Sequence, residues 1–577
     1  MDSVGIAFGA VSPLGSGHDA LAWSPLGEPA RVAITDDPAL ASLGLERRAA
    51  ARAFDPTSLD VDPLMLALDA CVTRLDTVLP GWRSLRVGFV IGTSSGAMRR
   101  AERAYAALAS GHAPALEDAR CLAYAAPFLD ARARLGLPLT REAHVLAACA
   151  SSSVALGLAH MWLEGGDCDV VLAGGYDALS SFVATGFAAL GAITASTPRP
   201  FQRERDGLAL GEGGGVVALV RADQVPERAA PCLVVGGFSV MTDAVHLTAP
   251  DRTGGGLARA ITDALARGET PADEVAAIGA HATATTYNDP SEARAFATTF
   301  GPRATRMPVH APKAALGHLL GAAGVIEALS LARGLDTGIF PPSAGEGTPD
   351  PDAPAMLIRV GTALAAEAAI KTSLAFGGVD SALLLRRSPR RSSARAFRTV
   401  IFGEVVAVDG LPPLDVLAQR AGVRVERLAR LDPLSLVVVA AVAELAERVG
   451  RERLVDAALV VGHDVATVGT NAAFWARAIA RGARLAEPRR FAYTSPNACV
   501  GEAVLVFGIR GASFAVGGAP GLVGQATSVA RDLVAAGYAD LAVAVDASEH
   551  SPAGEALAAA FDAPPPTTSA VARLLLA

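Results

Sequence analysis

Aromatic residues make up only 5% of this 577-residue chain, and its six cysteines, at positions 71, 121, 149, 168, 232 and 499, are widely scattered. There is no CxxC and no Cys/His spacing suited to zinc, so a metal ribbon or a disulfide framework is excluded and buried thiols in a reducing compartment are expected. Positive charge is not in excess either. A net charge of −8 excludes a general nucleic-acid binder, which would concentrate cations against phosphates. No apolar run has the length of a membrane span; the one around Leu434 to Leu445 is broken by Glu444 and reads as a buried helix. The start, MDSVGIAFGAVSPLG, lacks a basic stretch followed by a long apolar core, so no signal peptide is expected and the cytoplasm is the default location.

Small apolar residues fill the chain instead. A hydrophobic fraction of 51% with 19% charged residues marks a well-packed protein, and the length implies two to four domains or halves. Abundant Ala and Gly favour close packing of helices on a sheet. Arg86 to Gly92, His144 to Ala148 and Asp169 to Gly174 read as buried strands, and Ser151 to Gly165 reads as a helix with Ala155, Leu158, Ala159 and Trp162 on one face. Strands alternating with helices predict an α/β fold with a mainly parallel sheet covered on both sides.

The segment Arg386 to Arg398 carries six arginines with serines and a proline and is the best linker candidate, read as a solvated tether over residues 389–398. Laying the chain over itself across this segment reveals a repeat. Asp62-Pro63-Leu64 recurs as Asp432-Pro433-Leu434, Val90-Ile91-Gly92 as Val460-Val461-Gly462, and Asp169 with its apolar run as Asp540 with its own, at offsets of 370, 370 and 371 residues. Three matches in order predict that residues 399–577 copy the first half of residues 1–388.

Cys149 falls where a predicted strand meets a predicted helix. Unpaired N–H groups and the dipole of a helix start stabilise a thiolate, so a lowered pKa and a nucleophilic role are expected. By itself the segment favours an inert core cysteine, since a free cysteine is so often simply buried. His281 follows at a strand end entering a Thr-rich turn, and His318 precedes a small-residue helix, with Lys313 five residues upstream. Both histidines lie on loops of small residues that leave room for a substrate.

On these residues the first 388 positions resemble a β-ketoacyl-acyl carrier protein synthase. The likeness runs through AVSPLG (Ala10 to Gly15), ACASSS around Cys149, RPFQRERDGLALGEGGG (Arg199 to Gly215), DAVHLTAPD (Asp243 to Asp251), HATATTYNDP, KAALGH and SLAFGG (Ser373 to Gly378), in family order. The resemblance implies a thiolase-like fold, a duplicated five-layer αβαβα ketosynthase, followed by a C-terminal α/β half-ketosynthase-like domain. It implies that Cys149 takes an acyl chain as a thioester and that His281 and His318 stabilise the enolate formed when malonyl carrier loses carbon dioxide. The N–H groups of Cys149 and Phe376 would then hold the oxyanion.

It further implies that Lys313 braces the site with Glu292, that Phe376 gates access, and that Thr283, Thr285, Gly377 and Gly378 line the substrate path. An acyl carrier protein and a second ketosynthase protomer or ketosynthase-like partner are the implied partners. No metal or organic cofactor is implied, and neither nucleic acid nor membrane insertion. The sequence departs from the family at Ala282, Ala284 and Ala375, each a Cβ where glycine is usual.

In residues 399–577 the position matching Cys149 is Ala519 or Pro520, and those matching His281 and His318 fall beyond Ala577. This part resembles the short ketosynthase-like proteins of aryl polyene-like gene clusters, a degenerate half without a site. Cys499 reads as structural, and His463 as a polar group near the domain surface. Two alternatives to a condensing enzyme stay open: a non-catalytic assembly or chain-length-factor subunit, and a malonyl decarboxylase or initiation acyltransferase on the same fold.

Overall fold

The computed structural model describes residues 1–59, 61–391 and 397–577. Five strands, β1 (Ser3–Ser12), β2 (Val87–Gly92), β3 (Arg141–Leu146), β4 (Val170–Asp177) and β5 (Gly213–Arg221), form a first sheet in the order β3-β2-β4-β5-β1. Strands β3, β2 and β4 are parallel, and the inner strands β2 and β4 are buried at every residue, as strands covered on both faces must be. A second sheet, from β6 (Leu233–Thr242), β7 (Val275–Gly279), β8 (Pro308–His310), β9 (Ala368–Ala375) and β10 (Val379–Arg386), has the order β8-β7-β9-β10-β6. It joins the first through β6, which pairs with β1.

Helix α1 (Pro63–Val78) covers the outer face of the first sheet, and α3 (Gly255–Arg267) that of the second; α2 (Ser151–Glu164) and α4 (Ala323–Thr337) touch both sheets and each other. The result is the expected five layers, αβαβα. The abundance of small residues has its use in the middle layer. A Cβ on Gly157 would meet the Phe238 ring at 2.4 Å, and one on Gly324 would meet Ser153 Oγ at 2.3 Å.

The C-terminal region repeats the first sheet. Strands β11 (Ile401–Asp409), β12 (Ala458–His463), β13 (Ser513–Gly517), β14 (Leu541–Ser548) and β15 (Ser569–Leu576) run in the order β13-β12-β14-β15-β11, with the same parallel and antiparallel pairings. Helix α5 (Pro433–Val449) lies where α1 lies in the first copy. Both helices open on an aspartate cap followed by proline: Asp62 accepts from the Leu64 N–H at 2.9 Å and Asp432 from the Ser435 N–H at 3.1 Å. Proline at this position loses no helix bond and its ring presets the φ angle.

Strands β13 and β3 pair antiparallel, Ala515 against Leu146 and Val516 against Val145. The two five-stranded sheets thereby become one sheet of ten, related by a local two-fold axis. Polar contacts flank the seam. The His144 N–H donates to Gln525 Oε1 at 2.9 Å, His144 Nδ1 meets the Gly517 carbonyl at 2.6 Å, and Trp162 Nε1 donates to Asp532 Oδ2 at 3.0 Å.

Three local expectations change. The strand read as His144 to Ala148 stops at Leu146, because Ala148 turns to φ +46° and residues 148–150 form a 3₁₀ turn. The segment from Arg386 is not all tether: Arg386 is the buried end of β10 and pairs with Asp2 at 3.2 Å, and the Arg390 N–H donates to Asp2 Oδ2 at 2.7 Å. Of the proposed linker, residues 392–396 lie outside the described residues, and at its end the Arg398 N–H donates to the Ala535 carbonyl at 2.8 Å. His463 is fully buried rather than near the surface, with Nε2 on the Pro496 carbonyl at 3.0 Å; Cys499 is buried beside it.

Candidate active site

Cys149 sits in the turn Ala148–Ala150, between β3 and the start of α2. The left-handed conformation of Ala148 costs about 1–2 kcal/mol in an L-residue, and it makes the sharp change of direction that ends the strand. Cys149 as a residue stays 7% exposed. Its electrostatics overturn the expectation of a lowered pKa. Burial pushes the thiol up to about 12, and the nearby Lys313 ammonium only partly opposes this. Desolvation outweighs the helix start because a thiolate away from water loses more hydration than the partial charge of a few N–H groups returns.

The turn packs against the turn Leu320–Ala322 that follows His318, and against β9. His281 follows β7, and its ring meets that of His318 edge-on, with centroids 5.3 Å apart. Burial first, then the charge of Lys313, holds both imidazoles well below the usual histidine value. Both are therefore neutral at physiological pH. The Leu320 N–H donates to His318 Nδ1 at 3.2 Å, so the proton of His318 resides on Nε2, which is a donor. Lys313 acts electrostatically on Cys149, His281 and His318 alike, which brings the three groups into the field of one ammonium.

The expected Lys313–Glu292 brace is not formed. Lys313 Nζ instead donates to Glu327 Oε1 at 2.6 Å, and Lys371 Nζ lies 2.9 Å from Glu327 Oε2, all three side chains being buried. Glu292 does different work. Its carboxylate accepts from the N–H groups of His281 (2.7 Å) and Ala282 (2.6 Å), from Asn288 Nδ2 (2.8 Å) and from Thr372 Oγ1 (3.0 Å). With its acceptor sites filled by the loop that carries His281, it fixes that loop and has no need of the lysine.

Glu327 and Lys371 were not among the residues singled out from sequence. A signal was present: the chain has 48 arginines but only two lysines, and both point at Glu327. An ammonium is a compact point charge on a flexible stem, which suits the approach of two to one buried carboxylate.

The loops around the site follow their residues. Ala282 and Ala284 adopt φ of +48° and +57°, the left-handed region their Cβ disfavours, whereas Ala375 ends β9 in extended backbone and carries no such strain. Thr283 Oγ1 and Thr285 Oγ1 are 3.0 Å apart on that same His281 loop. Gly377 and Gly378 turn between β9 and β10 at φ +84° and +76°. The Phe376 ring stacks on Phe187 at 5.9 Å, and Phe187 meets Phe491 edge-on at 5.4 Å, so a row of aromatics leads from the site to the C-terminal region. Among the described residues no group of three or more His, Cys, Asp or Glu could hold a metal, and no helix is long and apolar enough to cross a membrane.

Comparison with known proteins matches residues 79–225 to the β-ketoacyl synthase N-terminal domain and residues 232–346 to its C-terminal domain. The 3-oxoacyl-[acyl-carrier-protein] synthase 2 of Rhizobium meliloti (strain 1021) is 34% identical over 253 residues, 42% of this chain and 60% of that protein. The ketoacyl synthase alpha subunit of the tetracenomycin polyketide synthase of Streptomyces glaucescens is 32% identical over 321 residues, 52% of this chain and 75% of that subunit. The chain thus spans from somewhat over half to three quarters of these relatives. The solved PfaC keto synthase-chain length factor superposes with a TM-score of 0.76 over 100% of this chain and 78% of that one, at 15% identity, a likeness of fold alone.

Proposed function

Because the chain belongs to the β-ketoacyl synthase family, we propose that it is a 3-oxoacyl-[acyl carrier protein] synthase catalysing decarboxylative Claisen condensation in fatty acid or polyketide biosynthesis. The observation that carries this reading is the grouping of one thiol with two neutral imidazoles around a single ammonium. In the first half-reaction Cys149 displaces the carrier's phosphopantetheine thiol from an acyl thioester, forming acyl-Cys149 and free carrier thiol. Loading a buried thiol of high pKa requires its proton to leave as the S–C bond forms; His281 accepts it, both nitrogens of His318 being committed, and passes it to the departing pantetheine sulfur, which leaves both imidazoles neutral.

In the second half-reaction malonyl carrier loses carbon dioxide. The electron pair of the broken C–C bond becomes an enolate, whose oxygen takes hydrogen bonds from His281 and from Nε2–H of His318. Neutral donors serve here because they leave no charge to be neutralised before the enolate forms. The enolate carbon attacks acyl-Cys149, the N–H groups of Cys149 and Phe376 hold the oxyanion, and collapse expels the Cys149 sulfur, which takes up a proton to restore the thiol that burial favours. Losing one such donor typically costs about 10²–10³ in rate. Thr283, Thr285, Gly377 and Gly378 line the pantetheine path, and Phe376 gates it.

The C-terminal region, residues 399–577, takes the place of a partner protomer: a ketosynthase half without a nucleophile, joined to residues 1–388 by the segment 389–398. Its pairing through β13 supports this reading, as does the extent of the fold likeness. The external partner is an acyl carrier protein.

The test uses the full chain with acyl carrier protein, an acyl donor and malonyl carrier, analysed by mass spectrometry. A β-ketoacyl carrier product, lost in Cys149→Ala, is expected. Acetyl carrier alone would point to a decarboxylase, and unchanged product from Cys149→Ala in a reconstituted pathway would point to a scaffolding subunit.

A further inference from the structure

One peptide unit next to the site is held from two sides by parts of the chain far apart in sequence. The Gly377 N–H donates to the Leu247 carbonyl at 2.8 Å, and the Phe376 carbonyl accepts from Asn497 Nδ2 at 3.1 Å. These are the two ends of the same Phe376–Gly377 amide plane. Leu247 belongs to the loop Asp243 to Asp251, and Asn497 to the C-terminal region, where it immediately precedes helix α6 (Ala498–Phe507).

Asn497 is built for this contact. It is completely buried, and its Oδ1 accepts from the Ala515 N–H of β13 at 3.1 Å. That bond fixes which end of the amide is oxygen, so the nitrogen must face Phe376. A Cβ on Gly377 would come within 2.3 Å of Asn497 Nδ2, and one on Gly501 would come within 2.9 Å of Gly377 Cα and 2.7 Å of Leu247 Cδ1. Leu247 also packs with Ala492, Ala498 and Tyr493. Both loops that border the site therefore rest on residues 492–501.

We propose that Asn497 is a positioning residue for acyl transfer: by clamping the Phe376–Gly377 peptide against the Leu247 carbonyl, it fixes the orientation of the Phe376 N–H and ring toward Cys149. Holding an amide plane at both ends restricts ψ of Phe376 and φ of Gly377. Gly377 is at φ +84° and, as a glycine followed by a second glycine, Gly378, would otherwise sample many conformations. An oxyanion donor is worth most when its direction is set before the reaction. The C-terminal region thus contributes to the chemistry through a single amide, beyond its part in the sheet.

The inference rests on the condensing-enzyme reading, and the experiment separates the two. In the full chain, Asn497→Asp keeps the shape and the acceptor for Ala515 but removes the donor to Phe376; Asn497→Ala removes both. Each is compared with the parent in two reactions of Cys149: acyl loading from acyl carrier protein, read as mass gain, and alkylation by iodoacetamide, which forms no oxyanion. The expected result is acyl loading slowed at least about tenfold in both variants, alkylation within about twofold of the parent, and a lowered melting temperature in both, since Asn497→Asp sets a buried carboxyl oxygen against the Phe376 carbonyl. Loading at the parental rate in Asn497→Asp would overturn the proposal. So would equal slowing of loading and alkylation, which marks a merely structural role. If the parent itself takes no acyl group, the functional reading fails instead.

Discussion

Replacing Glu327 by Gln (E327Q) strands two buried ammonium groups at once. Glu327 lies 2.6 Å from Lys313 Nζ and 2.9 Å from Lys371 Nζ, and all three side chains are at most 2% exposed. Removing one partner of a buried ion pair costs about 3–5 kcal/mol, mostly the penalty of leaving charge without compensation, whereas an apolar group of similar volume in place of a buried charge is often nearly neutral. E327Q should therefore lose about 3–5 kcal/mol, and Lys371→Met, which leaves Lys313 and Glu327 as an intact pair, no more than about 1 kcal/mol.

The loss should also depend on pH with a definite sign. Burial already lowers the Lys371 pKa against the pull of Glu327, and without the carboxylate it falls further. Between that folded value and the unfolded value of about 10.4, the unfolded chain binds the extra proton, so stability rises with pH. The deficit of E327Q relative to the parent should shrink between pH 7 and pH 10. Urea unfolding followed by the fluorescence of buried Trp82 and Trp162 measures it. A loss below about 1 kcal/mol at pH 7, or a deficit independent of pH, would refute the argument that one carboxylate compensates both lysines.

Three further outcomes are expected. Alkylation of Cys149 by iodoacetamide should accelerate about tenfold per pH unit from pH 7 to 10, because burial sets the thiol up to about 12; a plateau near pH 8 would restore the low-pKa reading. Ala282→Gly and Ala284→Gly relieve left-handed strain of about 1–2 kcal/mol each, against about 0.5–1 kcal/mol of added chain entropy, so the double variant should melt no lower than the parent, and a clear fall would show that the two methyl groups pack usefully. Glu292→Gln faces two amide hydrogens toward existing donors and should cost about 1–3 kcal/mol together with a lowered condensation rate, since the backbone N–H of either His281 or Ala282 loses its acceptor; an unaffected rate would mean that the loop is held by other contacts.

Much of the site could be read locally. Cys149, His281 and His318 each stand in a short motif whose chemistry depends on neighbours within a few residues: a strand meeting a helix, a strand end, a turn before a small-residue helix. The repeat was legible for the same reason, since Asp62-Pro63 and Asp432-Pro433 are helix starts whose capping bonds span only two or three residues. Local bonds of this kind are encoded where they act.

The sequence by itself determined the α/β alternation, pointed to Cys149, His281 and His318 as the candidate site, and revealed a second copy with no cysteine at the matching position. Tertiary structure decided which charge answers which. Lys313 is paired with Glu327 on α4 rather than Glu292 because α4 packs in the middle layer while Glu292 is already taken up by four donors. It decided the protonation of Cys149, because desolvation depends on everything that surrounds the sulfur and not on the helix that follows it. It also decided that an asparagine more than a hundred residues further along the chain holds the Phe376 carbonyl. Burial and long-range pairing are sums over neighbours that only the folded chain assembles.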